Sequence, residues 1–180
     1  MEKKKITIIG AGMMGSALAF PAAENGHEVH IVGTCLDDKI IDGYLATGKH
    51  EKFCRPFPEN VNYHYFKDWK TVVEGSDFVI GGVSSFGVDW FLEEILIQLD
   101  PEMPVLSVTK GLRATDDGSL LSYPGYWMSE LAKRGIHRDI CAVGGPCTSY
   151  ELVFKDPTEV AFCGWDNEVL RMMKQAMQRP

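Results

Sequence analysis

Apolar residues in this chain follow two patterns. Short β-branched runs, each closed by glycine or a turn residue, alternate with stretches whose apolar positions recur at helical spacing. "KITII" (5–9) is the first run and ends at Gly10, as a buried strand does. "MMGSALAFPAAENG" follows, with alanines at helical spacing and a stop at Asn25-Gly26. Pro21 inside it lacks an amide donor, so a kink or a new partner for the freed carbonyl is expected. "HEVHIVG" (27–33) reads as a second strand. "VNYHYF" (61–66) reads as a third, beyond a polar region with Pro56 and Pro58. "DFVIGGV" (77–83), "MPVLSVT" (103–109), "DICAVGG" (139–145) and "TEVAFCG" (158–164) complete the strands. Between them "WKTVVEGS", "VDWFLEEILIQLD" (88–100, stopped by Pro101) and "YWMSELAKRG" read as helices. "DNEVLRMMKQAMQ" is a terminal helix capped by Asp166.

Strands alternating with helices at this spacing specify a doubly wound, mostly parallel α/β sheet with helices on both faces. There is no internal repeat, low-complexity segment or linker, so residues 1–180 read as one domain.

The balance of 45% hydrophobic and 24% charged residues is that of a globular chain. A net charge of −7 argues against nucleic-acid and anionic-membrane partners, which call for a basic face. An anionic ligand must therefore be held locally, by backbone amides or a few placed cations. The opening "MEKKKITIIGAGMMG" imitates a signal peptide only as far as Ile9, and a cytoplasmic protein is expected. Cys35, Cys54, Cys141, Cys147 and Cys163 are odd in number and scattered, which fits reduced thiols and no zinc site. His27 and His30 are three apart in a strand and point to opposite faces, so no metal is expected.

"GAGMMG" places Gly10, Gly12 and Gly15 in G-x-G-x-x-G spacing between a strand and a helix, which is the context that gives the motif weight. Gly10 permits the tight turn, Gly12 the approach of a pyrophosphate, and Gly15 close packing of helix on strand. The helix start, with Met13 and Met14, then turns unpaired amides toward the phosphates. A dinucleotide cofactor is the expected ligand. An NAD site has an acid about 20 residues beyond the glycines. Here Gly33 and Thr34 occupy the second-strand tip, and Asp37 and Asp38 follow slightly late. These acids read either as ribose ligands or as the first turn of a solvated helix. Lys39 is the only cation nearby, so NAD is favoured over NADP.

Three further stretches follow later strands: "VSSFG", "VTKGL" and "GGPCTSYE". Behind an N-terminal glycine loop, this ordered set resembles NAD(P)-dependent glycerol-3-phosphate dehydrogenase. That family's nucleotide domain reads GAGxxG, V-P-S, T-K-G and S-G-P-S-F-A-x-E in turn. The resemblance runs over nearly all 180 residues and implies a Rossmann-like fold. Ser84 stands at the family's proline, in the loop under the nicotinamide. Met13 and Met14 replace its serine and aromatic pair, and Cys147, Thr148 and Ser149 stand at its Ser/Thr, Phe and Ala. The resemblance implies that Gly145 and Cys147 line the substrate end of the cleft and that Ser149 lies beside the cofactor. It also implies that Lys110 contacts the substrate.

The same residues have plainer readings. Thr148 or Ser149 can be a helix N-cap, Cys147 a packed thiol, and Lys110 a surface lysine. At a strand tip, however, the Lys110 ammonium can polarise a carbonyl or bind phosphate. The family's second lysine, its general base, lies in an all-helical C-terminal domain that is absent from this sequence. The implied substrate is a small phosphorylated polyol or ketose, with room for a homodimer in the full-length protein. Another hydroxyacid or ketopantoate-type dehydrogenase and a stand-alone nucleotide-binding module are the alternatives.

Overall fold

In a computed structural model describing residues 2–116 and 118–179, the apolar runs become strands: β1 (Lys5–Ile9), β2 (Glu28–Val32), β3 (Val61–His64), β4 (Phe78–Gly81) and β5 (Val105–Ser107). A hairpin of β6 (Leu112–Ala114) and β7 (Leu120–Ser122) stands apart, and β8 (Ile140–Gly144) and β9 (Ala161–Cys163) follow. The main sheet runs β3-β2-β1-β4-β5-β8-β9. Its pairs are parallel except the last, where β9 lies antiparallel to β8. The chain leaves β1 toward β2 and β3 and then returns to β4 on the other side. The crevice for a ligand therefore falls at the carboxyl ends of β1 and β4.

Both sheet faces are buried, so the strands carry apolar residues on each. Ile6, Ile8, Val29, Ile31, Ile80 and Leu106 pack on one face under α1 (Met13–Glu24), α2 (Asp38–Thr47), α6 (Ser149–Phe154) and α7 (Asn167–Met177). Ile9, Val32, Val79 and Val105 pack on the other under α3 (Trp69–Val73), α4 (Val88–Phe91) and α5 (Tyr123–Lys133). The one polar side chain of β1 at the sheet centre, Thr7, shares a 2.8 Å hydrogen bond with Ser76. The buried Trp127 donates its indole N–H to the Val88 carbonyl at 2.9 Å, joining α5 to α4.

As read, Pro21 lies inside α1, with its ring buried and its carbonyl accepting from Asn25 at 3.2 Å. Two elements differ from expectation. The third strand stops at His64 and passes into a 3-10 turn over 66–68. The helix expected over 88–100 widens after Phe91 into a π-turn, Leu92–Leu96, with the Ile97 amide reaching back to Leu92. The polar region after β2 contains α2, a helix of 10 residues that starts just after Asp37, in line with the helix-start reading of the two acids.

Candidate dinucleotide site

Parallel strands end on the same edge, and this alone collects most of the candidate residues. Gly10 follows β1, Gly33 follows β2, Ser84 lies beyond β4, Lys110 beyond β5, and Gly145 follows β8.

The glycine loop divides into two kinds of position. Gly10 has φ +114°, and a Cβ there would stand 2.7 Å from the Gly82 carbonyl oxygen. A Cβ on Gly15 would overlap the Gly10 carbonyl. These two glycines are required by the fold itself. Gly12 is different: its φ of −67° suits any residue, and a Cβ would meet only the Gly82 oxygen at 4.0 Å. Nothing inside the protein needs glycine at this place, and what it keeps clear is space outside the chain. Gly12 is also the N-cap of α1 and makes no side-chain capping bond, so the first-turn amides of Met13 and Met14 keep their positive end open. The Met13 and Met14 side chains pack against the core. This cradle fits a pyrophosphate.

Ala11, between the first two glycines, is held from both sides. Its amide donates to Asp37 Oδ2 at 3.1 Å, and the same oxygen accepts from the Thr34 amide at 2.8 Å. Its carbonyl accepts from the Tyr44 hydroxyl at 2.9 Å and the Ser16 hydroxyl at 3.1 Å. Burial pushes the Tyr44 phenol far above its ordinary value, so it remains a neutral donor. Asp37 is the N-cap residue of α2, but its side chain caps nothing in that helix. Both sequence readings of this acid, ribose ligand and helix start, missed these bonds. Gly33 is buried where a Cβ would press on Ile41 and Asp37, so α2 sits directly on the β2 tip. Asp38 is exposed in the first turn of α2.

At the other end of the edge, the exposed Lys110 donates its Nζ to the Gly145 carbonyl, joining the β5 and β8 tips. Thr109 beneath it donates to the Val83 carbonyl at 2.7 Å, tying the β5 tip to the loop before Ser84. The stretch after Gly145 starts a helix. Thr148, not Ser149, is the N-cap of α6, in a capping box with Glu151. The Thr148 amide donates to Glu151 Oε2 at 2.6 Å, and this bond, with one from Thr158, holds the Glu151 carboxyl below its ordinary value. Ser149 is the first residue of α6, half-buried on this side of the sheet edge. Cys147 shows the packed thiol of its plainer reading. Its side chain is buried in the core, and burial pushes the thiol pKa up although Lys110 pulls it down. The cleft end is thus formed by Lys110 and the Gly145 backbone, with Cys147 beneath them.

Among the described residues no cluster could hold a metal ion and no helix is long and apolar enough to cross a membrane. A cavity of about 1060 Å³ lies between α1, α6 and α7 beside Leu18, Glu24, Leu152 and Met177 and includes none of the loop glycines.

A doubly wound sheet with a glycine loop at its switch point and open amides at the first helix start defines a nucleotide-binding Rossmann domain. Residues 5–169 match the family described as NAD-dependent glycerol-3-phosphate dehydrogenase N-terminus, and the chain belongs to that family. It is similar to the NADP(+)-dependent glycerol-3-phosphate dehydrogenase of Archaeoglobus fulgidus, 30% identical over 173 residues, covering 96% of this chain and 50% of that protein. A glycerol-3-phosphate dehydrogenase [NAD(P)+] of Francisella philomiragia is 30% identical over 169 residues, covering 92% of this chain and 47% of its own. The crystal structure of glycerol-3-phosphate dehydrogenase from Coxiella burnetii shares the fold, with a TM-score of 0.82 at 22% identity over 99% of this chain and 52% of that one. The chain spans about half the length of the curated relatives it matches.

Proposed function

We propose that this chain is the coenzyme half of an enzyme interconverting sn-glycerol 3-phosphate and dihydroxyacetone phosphate, with NAD preferred over NADP. The observation that carries the reading is the joint placement of two features on one sheet edge. One is an open phosphate cradle at Gly12, and the other is a lysine, Lys110, at the far tip. The nicotinamide cofactor would supply the hydride acceptor or donor. Gly12 and the Met13 and Met14 amides would hold its pyrophosphate, with Gly33 and Thr34 at the adenosine end and Ser84 and Ser149 toward the nicotinamide. Lys110 Nζ has three donors and spends one on Gly145, leaving the others for a substrate phosphate or carbonyl oxygen. Gly145 fixes that ammonium in place.

The NAD preference rests on charge. Residues 33–39 contain no arginine, and Asp37 and Asp38 oppose a 2′-phosphate. The free thiols fit a reducing, cytoplasmic setting. Oxidising an alcohol also requires a base within hydrogen-bond reach of the hydroxyl. Glu151 is committed to its cap and Lys110 is a donor, so these 180 residues on their own bind cofactor with turnover near background.

Calorimetric titration with NADH and NADPH, followed by assay with dihydroxyacetone phosphate, tests all three parts. NADH binding tighter than NADPH binding, with negligible turnover, is expected. Failure to bind either dinucleotide overturns the reading. Tighter NADPH binding overturns the preference. Robust turnover that disappears in Lys110→Ala overturns the account of the missing base.

A further inference from the structure

The most tightly determined group at the site is the peptide pair around Ala11, and it is held from a helix that the cofactor need not touch. Asp37 and Tyr44 sit two turns apart on the same side of α2 and reach the two polar groups of one loop residue. Asp37 takes the Ala11 amide, Tyr44 meets the Ala11 carbonyl, and Ser16 of α1 shares that carbonyl. The Ser16 and Tyr44 hydroxyls lie 2.7 Å apart, which closes the network. Asp37 Oδ2 also takes the Thr34 amide, so one oxygen joins the glycine loop to the β2 tip. Tyr44 is 1% exposed and Ser16 fully buried. Without these bonds a glycine turn has more conformations open to it, and ordering it would reduce any affinity gained on binding.

We propose that α2 is a clamp on the phosphate loop: Asp37 and Tyr44 are positioning residues that fix both faces of the Ala11 peptide, aiming the Gly12, Met13 and Met14 amides at the pyrophosphate. This inference rests on the dinucleotide reading and sharpens it. The acid after β2 acts through hydrogen bonds spent inside the protein and not through a ribose contact. Its charge still opposes a 2′-phosphate, and the two roles separate by substitution.

In Asp37→Asn a single amide oxygen can accept from both Ala11 and Thr34, as Oδ2 does, while the charge is lost. In Asp37→Ala both hydrogen bonds are lost. Tyr44→Phe keeps the buried ring and loses only the hydroxyl. The expected result is that Asp37→Ala weakens NADH at least tenfold and NADPH by less, because the repulsion of the 2′-phosphate is lost with the charge. Tyr44→Phe weakens both by roughly three- to tenfold, and Asp37→Asn keeps NADH affinity within about threefold. These ranges correspond to one or two hydrogen bonds of loop preorganisation. A ribose ligand would behave differently, with Asp37→Asn losing NADH as severely as Asp37→Ala.

Melting temperature and amide exchange accompany each titration. In Asp37→Ala the Ala11 and Thr34 amides should exchange faster than in the parent chain without cofactor present. Either of two outcomes overturns the proposal: an Asp37→Ala chain that binds NADH as the parent does, or an Asp37→Asn chain as impaired as Asp37→Ala. If the parent chain binds neither dinucleotide, the functional reading fails, and the exchange rates of Ala11 and Thr34 in Asp37→Ala still judge the clamp.

Discussion

Gly12→Val should separate binding from folding, because the three loop glycines are glycine for different reasons. At Gly12 the backbone lies at φ −67° and ψ 174°, open to valine, and a Cβ meets nothing nearer than the Gly82 oxygen at 4.0 Å. The folding cost is that of a poorer N-cap, about 1 kcal/mol or less. For a domain of this size that lowers Tm by roughly 2–4 °C. The valine methyls nevertheless fill the space in front of the Met13 and Met14 amides. Hydrogen bonds to a charged acceptor contribute roughly 1.5–3 kcal/mol each. Losing two of them removes about 3–6 kcal/mol, which is more than a hundredfold in Kd.

Gly10→Ala provides the contrast. Its φ of +114° and the 2.7 Å approach to Gly82 place the whole cost in the fold. About 2–5 kcal/mol is expected from the left-handed backbone and the overlap together. Thermal melts and NADH calorimetry on both variants and the parent read the two costs independently. The reasoning is refuted if Gly12→Val binds NADH within threefold of the parent, or if it melts as early as Gly10→Ala.

Two further predictions concern the frame around the site. Burial holds the imidazoles of His27, His50 and His64 below their ordinary pKa, so the folded chain resists protonating them. Unfolded histidine takes its proton near pH 6.5, so their contribution is full above that pH and is lost as pH falls through the lower folded values. Urea midpoints should therefore decline between about pH 6.5 and 5, before the carboxylates titrate; a flat profile there would contradict the burial of these rings. Thr148→Ala removes the side-chain half of the α6 capping box and should cost about 1 kcal/mol with NADH affinity unchanged within twofold. A loss of cofactor binding without a loss of stability would make Thr148 itself a cofactor contact and not only a cap.

The strands were legible because a parallel sheet buried on both faces leaves near-continuous apolar runs, and each such run ended on a turn residue. Gly10, Gly33, Ser84, Lys110 and Gly145 then fell on one edge by topology alone. For Cys147 the motif says where the backbone lies and leaves a packed and a site-lining thiol open; its burial in the core comes from neighbours distant in sequence. Thr148 and Ser149 were both reasonable caps by residue type, and the choice fell to Thr148 because the Glu three residues later completes the box.

The hardest feature to read, α2, is also the one the site depends on. Its sequence, "DKIIDGYLAT", contains a glycine and three charged residues, and only Ile41 and Tyr44 are buried. Such a helix is stabilised by where it packs more than by its own propensity. The usable signal was Asp37 followed by Ile40, Ile41 and Tyr44, an N-cap residue before apolar positions spaced one and four apart on one face. Even with the helix in place, the site role of Asp37 would have stayed hidden. Its hydrogen bonds join residues 26 positions apart, Tyr44 reaches back 33, and neither separation is encoded in a local pattern. The glycine motif states that the backbone must come close to a phosphate; it does not state what holds that backbone still. In this chain the holding groups are a carboxylate and a phenol on the next helix, so reading a helix start at Asp37 did not by itself reveal what that helix holds.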